Sequence, residues 1–211
     1  MTKSALLLLL APLVLPAAEY RFEMNPQTTN IEWTLGATLH TVHGTFKLKR
    51  GEIRFDTANG KASGEVVVDT ASGESGSHSR DNRMRSHVLE SQKYPEVSFI
   101  PDRFEGTVAM PGTSDVKLHG VFRIHGESHE LTIPVPVTAH ENQLDVKLNF
   151  DVPYVAWGMK DPSTMFLRVA KSVHIEIHGT GRFGPAGLKV AFLKSGANKP
   201  HVILVKNSNG N

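Results

Sequence analysis

Apolar residues recur at every second position in one short segment after another, the period of a half-buried strand rather than of a helix. Ile31, Trp33 and Leu35 share one face of the first clear run. Gly44, Phe46 and Leu48 share a face of the next, followed by Ile53 with Phe55 and by Val66 with Val68. After Phe99 the pattern returns with Val116, Leu118, Phe122 and Ile124, then with Leu131, Ile133, Val135 and Val137. It continues through Leu144, Val146, Leu148 and Phe150 and ends with Val173, Ile175 and Ile177. These runs predict about ten strands. Asn59-Gly60, Pro111-Gly112 and the stretch His125–Ser128 lie between them and favour antiparallel hairpins. Strands with one apolar face each close economically into a barrel or a sandwich. Pro134 and Pro136 remove two ladder donors, which marks an edge, a bulge or an interruption of pairing close to a barrel mouth.

One segment breaks the alternation. "SRDNRMRSHVLESQKYPEVSF", Ser79 to Phe99, predicts a short helix with Ser79 as N-cap, Asp81 in its first turn and Met84 and Val88 on one face. Tyr94-Pro95 stops it before a strand. A helix of about ten residues is marginal by itself. Packing must hold it, and the simplest partner is the open end or side of the β-structure.

Composition places this β-rich domain in a compartment. Lys3, an apolar run from Ala5 to Val14, and the small residues Ala17 and Ala18 form the pattern of a signal peptide over residues 1–18, so the mature chain is expected to be exported and periplasmic. The 211 residues include no cysteine, so the mature domain must rely on its core instead of disulfides. No later segment approaches the ~20 apolar residues of a membrane-spanning helix, and no integral span is expected. A formal net charge of +2 is too balanced to imply a nucleic-acid or anionic-membrane partner by itself.

Candidate chemistry is sparse. Eleven histidines raise a metal or haem reading, but His174, Glu176 and His178 fall on the strand face opposite Val173, Ile175 and Ile177, which points them to solvent. Spacing alone does not make three or four ligands converge, so no metal and no cofactor are expected. "GESGSHS", Gly73 to Ser79, offers Ser75 and Ser77 with His78 for a hydrolase, without the nucleophile-elbow pattern. No phosphate loop, dinucleotide fingerprint or zincin motif occurs, and the chain is read as non-catalytic. The inward faces carry bulky aromatics, including Trp33, Phe46, Phe55, Phe99, Phe104, Phe122, Phe150 and Trp157. They either fill a core or surround a cavity, since barrels of about eight strands do both.

Several segments resemble, in order, the YceI-like periplasmic polyisoprenoid-binding family. "RDNRMRSHVLESQKYPEVSF" is similar to that family's helix-to-strand motif, which ends in Y-P-x-(I/V)-x-F. "NIEWTLGATLHTVHGTF" is similar to its first strands, with His43, Gly44 and Phe46 as the histidine-to-G-x-F step. "EIRFDTANGKASGEVVVDTAS", "GVFRIHGESHELTIPV" and "NFDVPYVAWGM" resemble its later hairpins and an aromatic-glycine bend. The match runs from Tyr20 to Phe183, with "SHVLES" departing from the usual helix sequence.

The resemblance implies an all-β, lipocalin-like antiparallel barrel of about eight core strands with a short helix after the fifth predicted strand. It occupies residues 19–183, and a tail, 184–211, either adds a hairpin or frays. It implies a hydrophobic tunnel holding a polyisoprenoid or other long-chain lipid. Candidate lining residues are Trp33, Phe46, Phe55, Met84, Val88, Leu89, Tyr94, Phe99, Phe122, Ile124, Leu131, Ile133, Phe150 and Trp157. Arg80, Arg83 and Arg85 are candidates for a phosphate head group. A homodimer is compatible with this reading. The rivals are a metal- or haem-binding protein, a hydrolase, and a filled structural barrel acting through its surface.

Overall fold

The computed structural model describes residues 19–186. The expected signal peptide and the tail beyond residue 186 lie outside the described residues. Nine strands are present: β1 (Glu19–Met24), β2 (Asn30–Gly36), β3 (Thr41–Asp56), β4 (Ala62–Glu74), β5 (Glu96–Glu105), β6 (Gly112–Ile124), β7 (Glu127–His140), β8 (Gln143–Val152) and β9 (Val173–Pro185). Helix α1 (His78–Arg83) runs straight into a single π-helical turn, Met84–Val88, between β4 and β5. Among the described residues, no helix is long and apolar enough to cross a membrane.

The nine strands occupy eight positions. β1 pairs with the far half of β3 and the far half of β9, and β2 pairs with the near halves of the same two strands. They are one barrel stave interrupted between Met24 and Asn30. From there neighbours follow in chain order through β9, every pairing is antiparallel, and β3–β4 pairing together with the β1 and β2 pairing to β9 closes the cylinder. Closure gives every strand a partner on both sides over at least part of its length, which limits edge-to-edge association.

Two bulges explain where strand boundaries differ from the alternation. Leu48 and Ile53 are both buried although they stand an odd number of positions apart, which a regular strand forbids. The register against β4 shifts between Leu48 and Arg50, so an extra residue restores the phase. Segments 44–48 and 53–55, read as two strands, are therefore the single strand β3, and the helix follows the fourth strand. β5 repeats the device between Pro101 and Arg103, bringing Phe104 back to the interior after Phe99.

The prolines also find their place. β7 pairs with β6 along its whole length but with β8 only from Val137 to His140. Pro134 and Pro136 lie where the β8 ladder has already ended, so their missing N–H groups cost no bond there. The wall splays apart at this point. The turn after β8 fills the gap with Trp157, which stacks on His129 at 3.9 Å between centroids and meets Phe122 at 5.8 Å.

Gly44 shows why the histidine-to-G-x-F step needs its glycine. A Cβ at this position would collide with the carbonyl oxygen of Glu74 and with the indole of Trp33. Because that oxygen belongs to the neighbouring stave, relief requires the wall itself to move. Gly44→Ala is expected to cost about 2 kcal/mol, read as a lowered urea midpoint with an unchanged m-value.

Candidate functional site

The inward face does not meet in the middle. A cavity of about 570 Å³ runs through the barrel, far beyond the few water-sized voids of an ordinary core. It explains an otherwise odd burial pattern. Val66, Val68, Phe99, Leu148, Phe150, Ile175 and Ile177 point inward yet are only half-buried. Their exposure is to the lumen. The alternation alone left a filled core and a cavity both open, and the structure selects the hollow barrel.

One end is closed by aromatic rings. Phe55, Phe104, Tyr20 and Phe183 come from four different strands, with Phe55 to Phe104 at 4.5 Å, Tyr20 to Phe183 at 5.4 Å and Phe55 to Phe183 at 6.0 Å between centroids. Phe22, Phe55 and Phe104 present this floor to the lumen. The other end is covered by α1 with its π turn, by the β2–β3 turn and by the long segment between β8 and β9. Those three elements supply Met84, Val88, His40, Pro162, Leu167 and Val169 to the cavity wall.

The lid is held as the sequence suggested, by packing, although its details differ. The N-cap is Ser77, not Ser79, and its side chain makes no capping bond. The cap sits earlier because Ser75 and Asp81 tie the loop to the first turn. Ser75 Oγ donates to the buried carboxylate of Asp81 and accepts from Arg80 Nε at 2.7 Å, and Arg80 also donates to the Ser75 carbonyl at 2.8 Å. A carboxylate taken out of water needs such partners. These bonds give Ser75 an anchoring job, and His78 is exposed.

Further along, Leu89 N–H bonds back to Met84 C=O at 2.9 Å, the wide turn that makes the helix π. Glu90, with φ at +47°, then ends it, before Tyr94-Pro95 is reached. Glu90 meets His125 Nε2 at 2.9 Å, and the Tyr94 ring packs on the His125 ring at 4.5 Å. The lid is thereby fastened to the β6–β7 hairpin, whose two turn residues, His125 and Gly126, both have positive φ as expected of a tight hairpin.

Of the fourteen apolar candidates, Trp33, Phe46, Phe55, Met84, Val88, Leu89, Phe99, Phe122, Ile124, Ile133 and Phe150 line the cavity. Tyr94, Leu131 and Trp157 do not. Tyr94 fastens the lid, Trp157 plugs the splayed wall, and Leu131 packs among the half-buried side chains between the two core clusters. The three arginines separate as well. Arg80 and Arg83 both border the cavity, Arg80 with its guanidinium engaged by Ser75 and Arg83 exposed, whereas Arg85 lies off the cavity with a buried Nε that has no hydrogen-bond partner.

Phe22 and Met24 also line the cavity and were missed, although "YRFEM" alternates like its neighbours. Leu167 and Val169 carried no periodic signal because they sit in a loop. Outside the lumen, His174 pairs with Asp151 at 2.7 Å on the outer surface. No group of three or more potential metal ligands converges among the described residues.

Tyr154 anchors the cover from the β8 side. Its hydroxyl donates to the Ala170 carbonyl at 2.8 Å. Burial, assisted by the charge of Asp161, pushes its pKa up to about 12 from an ordinary 10.0. The folded state thus favours the neutral phenol. Its contribution is complete below pH 10 and is lost as the pH rises towards about 12. Tyr154→Phe is expected to remove this alkaline slope while costing about 1 kcal/mol at neutral pH, measured by urea unfolding at a series of pH values.

No curated protein matches the chain. Among solved structures, it is similar to BcnA of Burkholderia cenocepacia, with a TM-score of 0.62 at 17% identity over 75% of this chain and 99% of that one. A polyisoprenoid binding domain from Saccharophagus degradans implicated in plant cell wall breakdown aligns with a TM-score of 0.59 at 14% identity, over 79% of this chain and 98% of that one. The YCEI protein of Campylobacter jejuni aligns at 0.53 and 17% identity, covering 69% and 86%. At such identities these likenesses speak for the fold alone. The family model of the YceI-like domain matches residues 22–180, nearly the whole barrel, and the chain belongs to the YceI-like family.

Proposed function

We propose that this protein binds and carries a long apolar lipid, a polyisoprenoid or a fatty-acid-like chain, in the bacterial periplasm without catalysing a reaction on it. The observation that carries the reading is the hollow lumen, floored by aromatic rings and walled almost wholly by aliphatic and aromatic side chains. A cavity of about 150 Å³ holds one benzene, so about 570 Å³ accommodates roughly 20 carbons of chain. At about 0.8 kcal/mol for each buried methylene, such a chain brings some 16 kcal/mol gross, ample after the cost of ordering it. Affinity then scales with chain length, and the polar end stays at the lid, where Arg83 has its guanidinium free of ion pairs among the described residues. The likeness to a polyisoprenoid binding domain and membership of the YceI-like family support the same reading.

Native mass spectrometry of the mature protein, purified from a periplasm without detergent and incubated with geranylgeraniol or palmitic acid, tests the proposal. A stoichiometric adduct is expected. An unchanged apo mass with both probes, in a protein that is folded by circular dichroism, would sink it.

A further inference from the structure

The near-neutral charge of the chain conceals a polarised molecule. The cavity mouth is built from residues 36–41, 75–95, 125–126 and 153–172. These segments hold seven lysines and arginines against three carboxylates, Asp81, Glu90 and Asp161, so together they are net positive by four. The whole chain is positive by only two, which leaves the remainder net negative.

The same end displays apolar side chains that the fold does not use. Leu39 is 79% exposed, Met165 84% and Phe166 88%. They are held in place by an ordered scaffold. Thr38 N–H donates to the Arg168 carbonyl at 2.9 Å and Arg168 N–H donates to Thr38 Oγ1 at 3.1 Å, which ties the two loops that carry them. Within the longer loop, Thr164 N–H bonds to Leu167 C=O at 2.8 Å and Val169 N–H to Ser163 Oγ at 3.0 Å, bracketing Met165 and Phe166. Thr164, Leu167 and Val169, from the inner side of that loop, line the cavity. One loop therefore faces the lumen with one set of side chains and solvent with another.

A large aromatic and two long aliphatic side chains, exposed on two loops that are tied to each other among cation-rich mouth segments, match the interface of a bilayer whose surface is negative. Apolar groups insert into the acyl boundary there, and lysine and arginine meet the lipid phosphates. A second copy of this chain would bring the same positive charge and be repelled. We propose that the β2–β3 turn and the segment between β8 and β9 form a docking surface for an anionic phospholipid bilayer, placing the cavity mouth on the membrane from which an apolar chain is taken or to which it is delivered. The proposal deepens the lipid-carrier reading and rests on it for its purpose, though not for its geometry.

The test is flotation of the mature protein with phosphatidylcholine vesicles that either contain or lack phosphatidylglycerol. Co-flotation is expected with the anionic vesicles alone and should fade as salt is raised. The double variant Met165→Ser, Phe166→Ser should bind them on the order of tenfold more weakly, with Phe166→Trp retaining binding. Neither change touches the core, so both variants should still take up ethanol-dispersed geranylgeraniol as seen by native mass spectrometry. The docking surface is refuted if the wild-type chain ignores anionic vesicles while binding dispersed geranylgeraniol, or if the double variant floats as well as the wild type. A wild-type dimer that the double variant converts to a monomer, with no vesicle binding, would make the patch a self-interface and overturn the proposal. Salt-sensitive flotation by a chain that never takes up either lipid probe would leave the docking surface standing and remove the carrier reading.

Discussion

Phe99→Lys should abolish lipid retention while leaving a folded barrel. Phe99 stands on β5, registered between Val66 and Phe122, and its ring is half-buried because one side looks into the lumen. Replacing it removes about 1.5–3 kcal/mol of apolar contact with a bound chain. It also places an ammonium beside that chain, which must either lose its water or exclude the ligand. Together the two effects amount to about 3–4 kcal/mol, or roughly 10²- to 10³-fold in affinity. Unfolding is not expected, because an empty lumen can keep water around the charge in the free protein. Fluorescence of Trp33, whose indole lines the cavity, gives the binding curve, with Phe99→Leu as a control that should stay within about tenfold of wild type. If Phe99→Lys binds geranylgeraniol as tightly as the wild type, the chain does not pass this point of the barrel.

The second large effect belongs to the floor. Phe55→Ala deletes a ring that is only 4% exposed and that stacks with Tyr20, Phe104 and Phe183. Loss of a buried phenyl group costs about 3–5 kcal/mol. In a domain of this size that corresponds to a drop of roughly 6–20 °C in Tm. Function should move the other way. Because Phe55 ends the lumen, its removal lengthens the cavity, and a competition between geranylgeraniol and a longer polyprenol should shift towards the longer chain. A destabilised variant with an unaltered chain-length preference would show that the ligand stops short of the aromatic floor. The thermal and competition readouts are independent, so the stability loss does not obscure the result for the ligand.

The site was partly readable in advance. Inward residues of β2, β3, β6, β7 and β8 follow from period-two alternation, and Met84 and Val88 follow from helical spacing. The failures have local physical causes. Tyr94 and Trp157 look like cavity aromatics in any one-dimensional pattern, yet one ring is taken by His125 and the other by His129, residues distant in the chain. Arg80, Arg83 and Arg85 lie within one helical stretch, and only the fold distinguishes them, by bringing Arg80 and Arg83 to the cavity, tying Arg80 to Ser75 and leaving Arg85 off it. Phe104, read as inward and found there, shows how phase can mislead, since alternation from Phe99 would have pointed it outward. A bulge in β5 changes which face every later residue occupies, and nothing in the alternation announces how many residues a bulge will absorb.

The sequence by itself determined the strand-rich architecture, the antiparallel hairpins and the presence of one short helix between two strands, because these rest on side-chain period and turn chemistry within a few residues. It also placed most of the apolar wall on one face of its strands. Only the tertiary structure decided that β1 and β2 share a single stave, that the barrel is hollow rather than filled, that four aromatic residues from distant strands close one end, and that exposed apolar tips and cations gather at the other. Each of these depends on how far apart opposite walls stand and which loops meet in space. Strand curvature and bulges, summed around eight positions, set those distances, and no local segment contains that sum.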